Sequence, residues 1–187
     1  MNKKHQQHRN QVRIIGGSHR GRKLTFPQIE GLRPTADSVR EKLFNWLGQD
    51  LTACDVLDLF AGSGAMGIEA ASRHAKQIVM IENHKQAIAA LQKNLQELQF
   101  NNIDLIYRDA LTYLKSVNKQ FDIVFLDPPY AWQQWSELLN LLIPHLKSNA
   151  QVYLESNYLP ALPSGWQIRK QGKSGISQFV LLSYEPM

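Results

Sequence analysis

After residue 53, short apolar runs alternate with amphipathic helical patterns, and this rhythm restricts the chain more than any other feature. The runs DVLDLF (55–60), QIVMIE (77–82), IDLIY (103–107), FDIVFLD (121–127) and QVYLE (151–155) read as strands. Between them, 63–74, 85–98, 111–117 and 133–145 carry apolar residues at helical spacing. Strands separated by helices predict parallel pairing, because a parallel neighbour is reached only through a crossover connection. Two last runs, WQIRKQ (166–171) and SQFVLLS (177–183), are joined through Gly172–Gly175 with no helix between them, which predicts an antiparallel closing hairpin. The expected fold is α/β: a Rossmann-like sheet of seven strands, the last hairpin antiparallel, with helices on both faces. With 43% apolar residues in 187, the chain can bury one such core plus a small extension, and two large domains are excluded.

The extension precedes the sheet. RIIGG and RKLTF flank the turn residues SHRG and predict a hairpin. Thr35 is placed as the N-cap of a helix whose Val39, Leu43, Phe44, Trp46 and Leu47 share a face up to Gly48. The chain therefore divides into a mobile basic tail (1–12), a hairpin-and-helix extension (13–52) and the main sheet domain (53–187). Charge follows the same division. Residues 1–42 hold 10 basic and 3 acidic side chains, whereas the rest of the chain is slightly acidic. Such an arm is suited to a polyanion.

Other classes fall away. Cys54 is the single cysteine, so a disulfide framework and a thiolate zinc site are excluded; it reads as a small buried residue ahead of the first sheet strand. His5 and His8 read as solvated tail residues, and no metal is expected. No apolar run approaches the roughly 18 residues a membrane span needs, and no signal core opens the chain, so the expected location is cytoplasmic.

In an open parallel sheet, ligands bind outside the carboxyl ends of the strands, where the winding reverses. The first strand there runs into Asp58, Leu59, Phe60, Ala61, Gly62, Ser63, Gly64, Ala65, Met66 and Gly67. Its glycines permit a sharp turn and close approach to a ligand at a helix N-terminus. Alone, G-x-G-x-x-G would suit a dinucleotide. The acids argue otherwise: Asp58, Glu82, Asp109 and Asp127 all fall at strand ends, and no Lys or Arg in the glycine loop offsets them. Four carboxylates repel a pyrophosphate but offer acceptors to a ligand carrying an ammonium, a sulfonium, ribose hydroxyls and an adenine amine. S-adenosylmethionine has all four. A divalent cation is the competing ligand, although carboxylates from four strand ends span too wide a cleft for one ion. Glu82 and Asp109 also have a simpler reading as helix caps.

Asp127-Pro128-Pro129-Tyr130 indicates the reaction class. Two prolines stiffen the loop and remove two N–H donors, leaving carbonyls and a carboxylate as acceptors. An exocyclic aryl amine is a weak nucleophile because its lone pair enters the ring. Accepting its hydrogens at Asp127 and at the Pro128 carbonyl favours a pyramidal nitrogen, and Tyr130 can stack on a flipped base. The plainer alternative is a tight turn that ends a strand. Arg13, Arg20, Arg22, Lys23, Arg33 and Arg40, with Lys42, are candidates for gripping RNA phosphates, and Arg33 could instead pair with a core carboxylate.

Together, DLFAGSGAMGIEAASR, the acid of MIEN, RDA and DPPY resemble the class I S-adenosylmethionine-dependent amino methyltransferases. RIIGGSHRGRKL and LRPTADSVREKLFNWL, preceding them in this order, resemble the RsmD-type 16S ribosomal RNA guanine-N2 methyltransferases over most of the chain from Arg13 to about Tyr184. The resemblance implies a cofactor role for Asp58, Phe60, Ala61, Gly62, Ser63, Gly64 and Gly67 at the methionine end. It assigns Glu82 with Asn83 to the ribose, Asp109 with Ala110 to the adenine, and Asp127, Pro128, Pro129 and Tyr130 to the target amine. It also implies a partner, 16S ribosomal RNA in a small-subunit particle, and no DNA; the small size suits a monomer. Adenine N6, protein glutamine and a non-enzymatic RNA-binding assembly factor are the alternatives. Two departures stand out: His74 where a glycine commonly ends the helix, and Ser174-Gly175 where an aromatic is expected before the glycine.

Overall fold

The computed structural model describes residues 10–186. His5, His8 and most of the anticipated tail lie outside them, while Gln11 and Val12 depart from the tail reading by belonging to the first strand. Strands β1 (Gln11–Arg13) and β2 (Lys23–Thr25) form the expected antiparallel hairpin, with Gln11 opposite Thr25. Helix α1 (Asp37–Leu47) follows.

The main sheet has seven strands: β3 (Asp55–Asp58), β4 (Gln77–Glu82), β5 (Ile103–Tyr107), β6 (Phe121–Leu126), β7 (Leu146–Ser156), β8 (Trp166–Ser174) and β9 (Ser177–Tyr184). Their order is β5-β4-β3-β6-β7-β9-β8, and β9 alone runs against its neighbours. Winding proceeds from β3 outward to β5 and then returns to β6 on the other side, so the switch point lies between β3 and β6. Strand alternation distributes the core between two layers. Val56, Ile78, Ile123, Phe125 and Tyr153 pack under α1, α2 (Ala65–Ser72) and α3 (Lys85–Leu98). Leu57, Val79, Val124, Leu126 and Leu154 pack under α4 (Ala110–Ser116) and α5 (Trp135–Leu142).

Boundaries shift where local backbone intervenes. Helix α2 starts at Ala65 rather than Ser63 because Gly64 is left-handed, with φ +82°. Strand β7 starts five residues earlier than expected: a bulge lies in its pairing with β6, and Asn149 at φ +64° absorbs the extra backbone. His74 adopts φ +70° and ends α2 without a glycine. Ala75 N donates to Ala70 O and His74 N to Ala71 O, the paired bonds of a Schellman cap. Cys54 precedes β3 as expected but is only half-buried.

The extension is fused to the sheet. Its Val12, Ile14, Leu24 and Phe26 join the same core as α2 and α3. Glu69 of α2, fully buried, accepts from Ile15 N at 2.9 Å and Gly16 N at 2.8 Å. Its oxygens also take Arg40 Nη1 at 3.1 Å and Arg73 Nε at 2.9 Å. This corrects the reading of Arg40 as a phosphate contact: its side chain is buried and its donors are spent on Glu69, Asp37, Arg13 O and Thr35 O. Burying a guanidinium is expensive unless it is paired and hydrogen-bonded, as it is here.

Candidate active site

The carboxyl ends of β3, β4 and β6 meet the N-termini of α2, α3 and α4 at one rim. Asp58, only 2% exposed, closes β3 and accepts Gly67 N at 2.9 Å. Gly67 is required by this approach, since a Cβ there would stand 2.9 Å from Met80 and 3.1 Å from the Asp58 carboxylate. Burial, reinforced by the charge of Glu82, pushes the Asp58 carboxyl up to about 7.

Glu82 clamps the glycine loop, accepting Gly62 N and His84 N, each at 2.7 Å. Asp109 caps α4: its Oδ1 accepts Thr112 N at 2.9 Å and Thr112 Oγ1 at 3.0 Å. The capping reading of Asp109 therefore holds, and a carboxylate has acceptor capacity beyond that single oxygen. Leu59, Phe60, Ile81, Glu82, Asn83, Arg108, Asp109, Ala110 and Trp132 line a shared cleft. Apolar walls with two acids and Arg108 among them fit a purine riboside, and the carboxylates of the rim fit a cationic ligand. Among the described residues no group of three or more His, Cys, Asp or Glu side chains gathers as metal ligands.

Asp127 follows β6 beside the same rim. Its Oδ2 accepts the Thr35 hydroxyl at 2.9 Å. This corrects the reading of Thr35 as a helix cap. Ala36 occupies the N-cap position, with no side-chain bond, and Thr35 turns inward instead. Burial pushes the Asp127 carboxyl well above the usual range, and the charges of Glu155 and Asp58 add to this while Thr35 opposes it. Pro128 is buried, and Pro129 O accepts Trp132 N at 2.8 Å, closing a turn that leaves Tyr130 exposed.

The family model described as "Conserved hypothetical protein 95" matches residues 12–183. Ribosomal RNA small subunit methyltransferase D of Escherichia coli K12 is 42% identical over 170 residues, 88% of this chain and 86% of its own. The chain belongs to the methyltransferase D family. The Haemophilus influenzae member is 41% identical over 179 residues, 91% of this chain and 93% of its own. The solved yhhF chain of Escherichia coli superposes with a TM-score of 0.85 at 38% identity, covering 94% of this chain and 98% of that one.

Several rim residues of this methyltransferase D member reach the site only through the fold. Trp132 meets Phe60 edge-to-face at 5.0 Å, and its Nε1 is buried without a partner among the described residues. Thr35 and Glu155 reach Asp127 from distant parts of the chain. The anticipated basic contacts scatter. Arg33 is exposed and makes no ion pair among the described residues, the pairing with a core carboxylate being made by Arg40 instead. Arg13 is exposed and pairs with Asp37 at 3.1 Å. Arg20, Arg22 and Lys23 are exposed too, but their hairpin docks on the far ends of α2 and α3. Ser18 Oγ donates to Ser72 O, His19 bonds Leu98 O, and Arg22 donates to Glu97 O. Helix α3 has 14 residues, so the hairpin lies about 20 Å along the helix direction from the rim.

Proposed function

We propose that the protein transfers a methyl group from S-adenosylmethionine to the exocyclic N2 of a guanine in small-subunit (16S) ribosomal RNA. The substrate is an assembled or assembling particle, and the enzyme acts as a cytoplasmic monomer. The observation that carries this reading is the half-buried Asp127 carboxylate, held by Thr35 in a proline-stiffened loop beside a rim of acids. The names of the relatives support the RNA, and the acids fit the cofactor.

Asp58 and the loop Phe60, Ala61, Gly62, Ser63, Gly64 and Gly67 hold the methionine end, Glu82 and Asn83 the ribose, and Asp109 with Ala110 the adenine. When bound, the cofactor supplies an electrophilic methyl group on a sulfonium. The remaining work belongs to the protein. Asp127 and the Pro128 carbonyl accept the two amine hydrogens, and Tyr130 stacks on the base, orienting the nitrogen lone pair. A positive charge at the rim favours the ionised carboxylates of Asp58 and Asp127 and lowers their raised pKa values. Positioning and charge complementarity account for the catalysis.

The exposed Arg20, Arg22 and Lys23, far from the rim, and Arg33 extend the footprint along the molecule, as suits a large structured RNA. Incubation with methyl-labelled cofactor and small subunits lacking the modification, followed by nucleoside analysis, tests the proposal. Label in N2-methylguanosine is expected. Label in N6-methyladenosine or in protein would refute the guanine assignment.

A further inference from the structure

Glu155 lies on β7 directly beside Asp127. Leu126 pairs with Leu154 at the end of the parallel ladder, and the residues that follow, Asp127 and Glu155, leave it side by side, close enough for the charge of Glu155 to act on Asp127. They also share a face. Leu126 and Leu154 belong to the layer under α4 and α5, whereas Phe125 and Tyr153, one position earlier, meet edge-to-face at 6.4 Å under α1. Strand alternation returns residues 127 and 155 to that second side.

Glu155 is 6% exposed and, among the described residues, has no Lys or Arg partner. Its oxygens accept Tyr153 OH at 2.6 Å and the Ser177 hydroxyl. Two donors fix the orientation of a carboxylate whose remaining acceptor capacity is unspent. A buried carboxylate beside a half-buried one, without a cation, repels it. That arrangement is relieved by a ligand presenting two neighbouring N–H donors.

We propose that Glu155 is a specificity-determining residue that accepts the ring N1–H of the target guanine while Asp127 accepts its N2–H. This rests on the functional reading above and deepens it. Guanine presents a ring N–H next to its exocyclic amine. Adenine presents a bare ring nitrogen beside its amine, cytosine does the same, and a glutamine side chain carries a carbonyl there. Each of these would set an acceptor lone pair against the Glu155 carboxylate, leaving buried acceptors unpaired. The proline loop selects an amine, and its neighbour on β7 selects the ring that bears it.

The experiment uses full-length enzyme and reconstituted small-subunit particles whose RNA carries, at the mapped target position, either guanosine or 2-aminopurine riboside. The analogue keeps the amine, replaces N1–H with an acceptor and also lacks O6, so the change in preference between wild type and Glu155→Gln isolates the N1 contact. Wild-type enzyme is expected to prefer guanosine by about 100-fold or more in kcat/KM, since a site built around a hydrogen bond rejects the analogue lacking it. Glu155→Gln can donate its amide hydrogen to the bare nitrogen, so the preference should fall to about 10-fold or less, with cofactor affinity unchanged. Glu155→Asp, which keeps the charge, should retain a preference for guanosine even where turnover drops. A wild-type enzyme that methylates both nucleosides equally, or a Gln variant with the wild-type ratio, overturns the inference alone. Methyl label in any nucleoside other than N2-methylguanosine overturns the functional reading and this inference with it.

Discussion

The Thr35 hydroxyl donates to Asp127 Oδ2 at 2.9 Å across 92 residues of sequence. Arg40 Nε in turn holds the Thr35 carbonyl at 3.2 Å, and Arg40 is itself anchored on Glu69. A buried ion pair thus sets the backbone that sets the hydroxyl that orients the carboxylate. The extension and the proline loop are parts of one site.

Thr35→Val removes a hydrogen bond that favours ionised Asp127. If the ionised form is the active one, the acid limb of the kcat profile moves to higher pH, and kcat at neutral pH falls by about 10-fold, the equivalent of one hydrogen bond to a charged group. Thr35→Ser should restore both. Asp127→Ala should abolish transfer with the fold and cofactor affinity intact. Stopped-flow methyl transfer across pH checks the series; a Val variant with a wild-type profile would remove Thr35 from the site's chemistry.

Arg40→Ala leaves Glu69 buried with part of its pairing gone. Breaking a buried pair by removing one partner costs about 3–5 kcal/mol, so the denaturant midpoint should drop sharply. Hydrogen exchange at Ile15 and Gly16, whose amides Glu69 accepts, should accelerate. An unaltered midpoint would show that the network contributes nothing to holding the extension.

Replacing Arg20, Arg22 and Lys23 together with Ala should weaken particle binding and flatten its salt dependence. Each lost phosphate contact removes about one unit of slope. All three are exposed, so thermal stability should barely change. Binding measured against salt concentration decides the matter, and an unchanged slope would assign the hairpin to the solvated surface.

Asp58 provides a pH test. Its folded pKa of about 7 exceeds the ordinary 3.8, so between these values the folded state binds more protons than the unfolded. The stabilising contribution of the protonated group is full below about pH 4 and is lost as pH rises toward 7. Asp58→Asn should flatten that part of the thermal stability curve relative to wild type. A variant curve parallel to wild type through this window would contradict the raised value.

The parallel sheet, the glycine loop and the proline loop were legible because their signals are local: a period of two or 3.6, a turn residue, an acid at a strand end. Asp58, Glu82, Asp109 and Asp127 reached one rim because strand direction alone places every carboxyl end there. Cap chemistry was less legible. Thr35 had the residue type of an N-cap, but an acceptor in another element competed for its hydroxyl and took it.

What the amino-acid sequence determined by itself was the succession of elements and the chemistry at their ends. Tertiary structure decided which distant residues complete that chemistry. Arg40 looked like any cation of a basic arm until α1 folded onto α2 and enclosed it with Glu69. Glu155 looked like the end of an apolar strand until the β6–β7 register set it beside Asp127. The hairpin cations share one basic arm with Thr35 and Arg40 in the linear chain, yet docking on the far ends of α2 and α3 holds them away from the rim. Patterning follows from backbone geometry within a few residues, whereas hydrogen bonds and charge pairs depend on distances that exist only after the layers have packed.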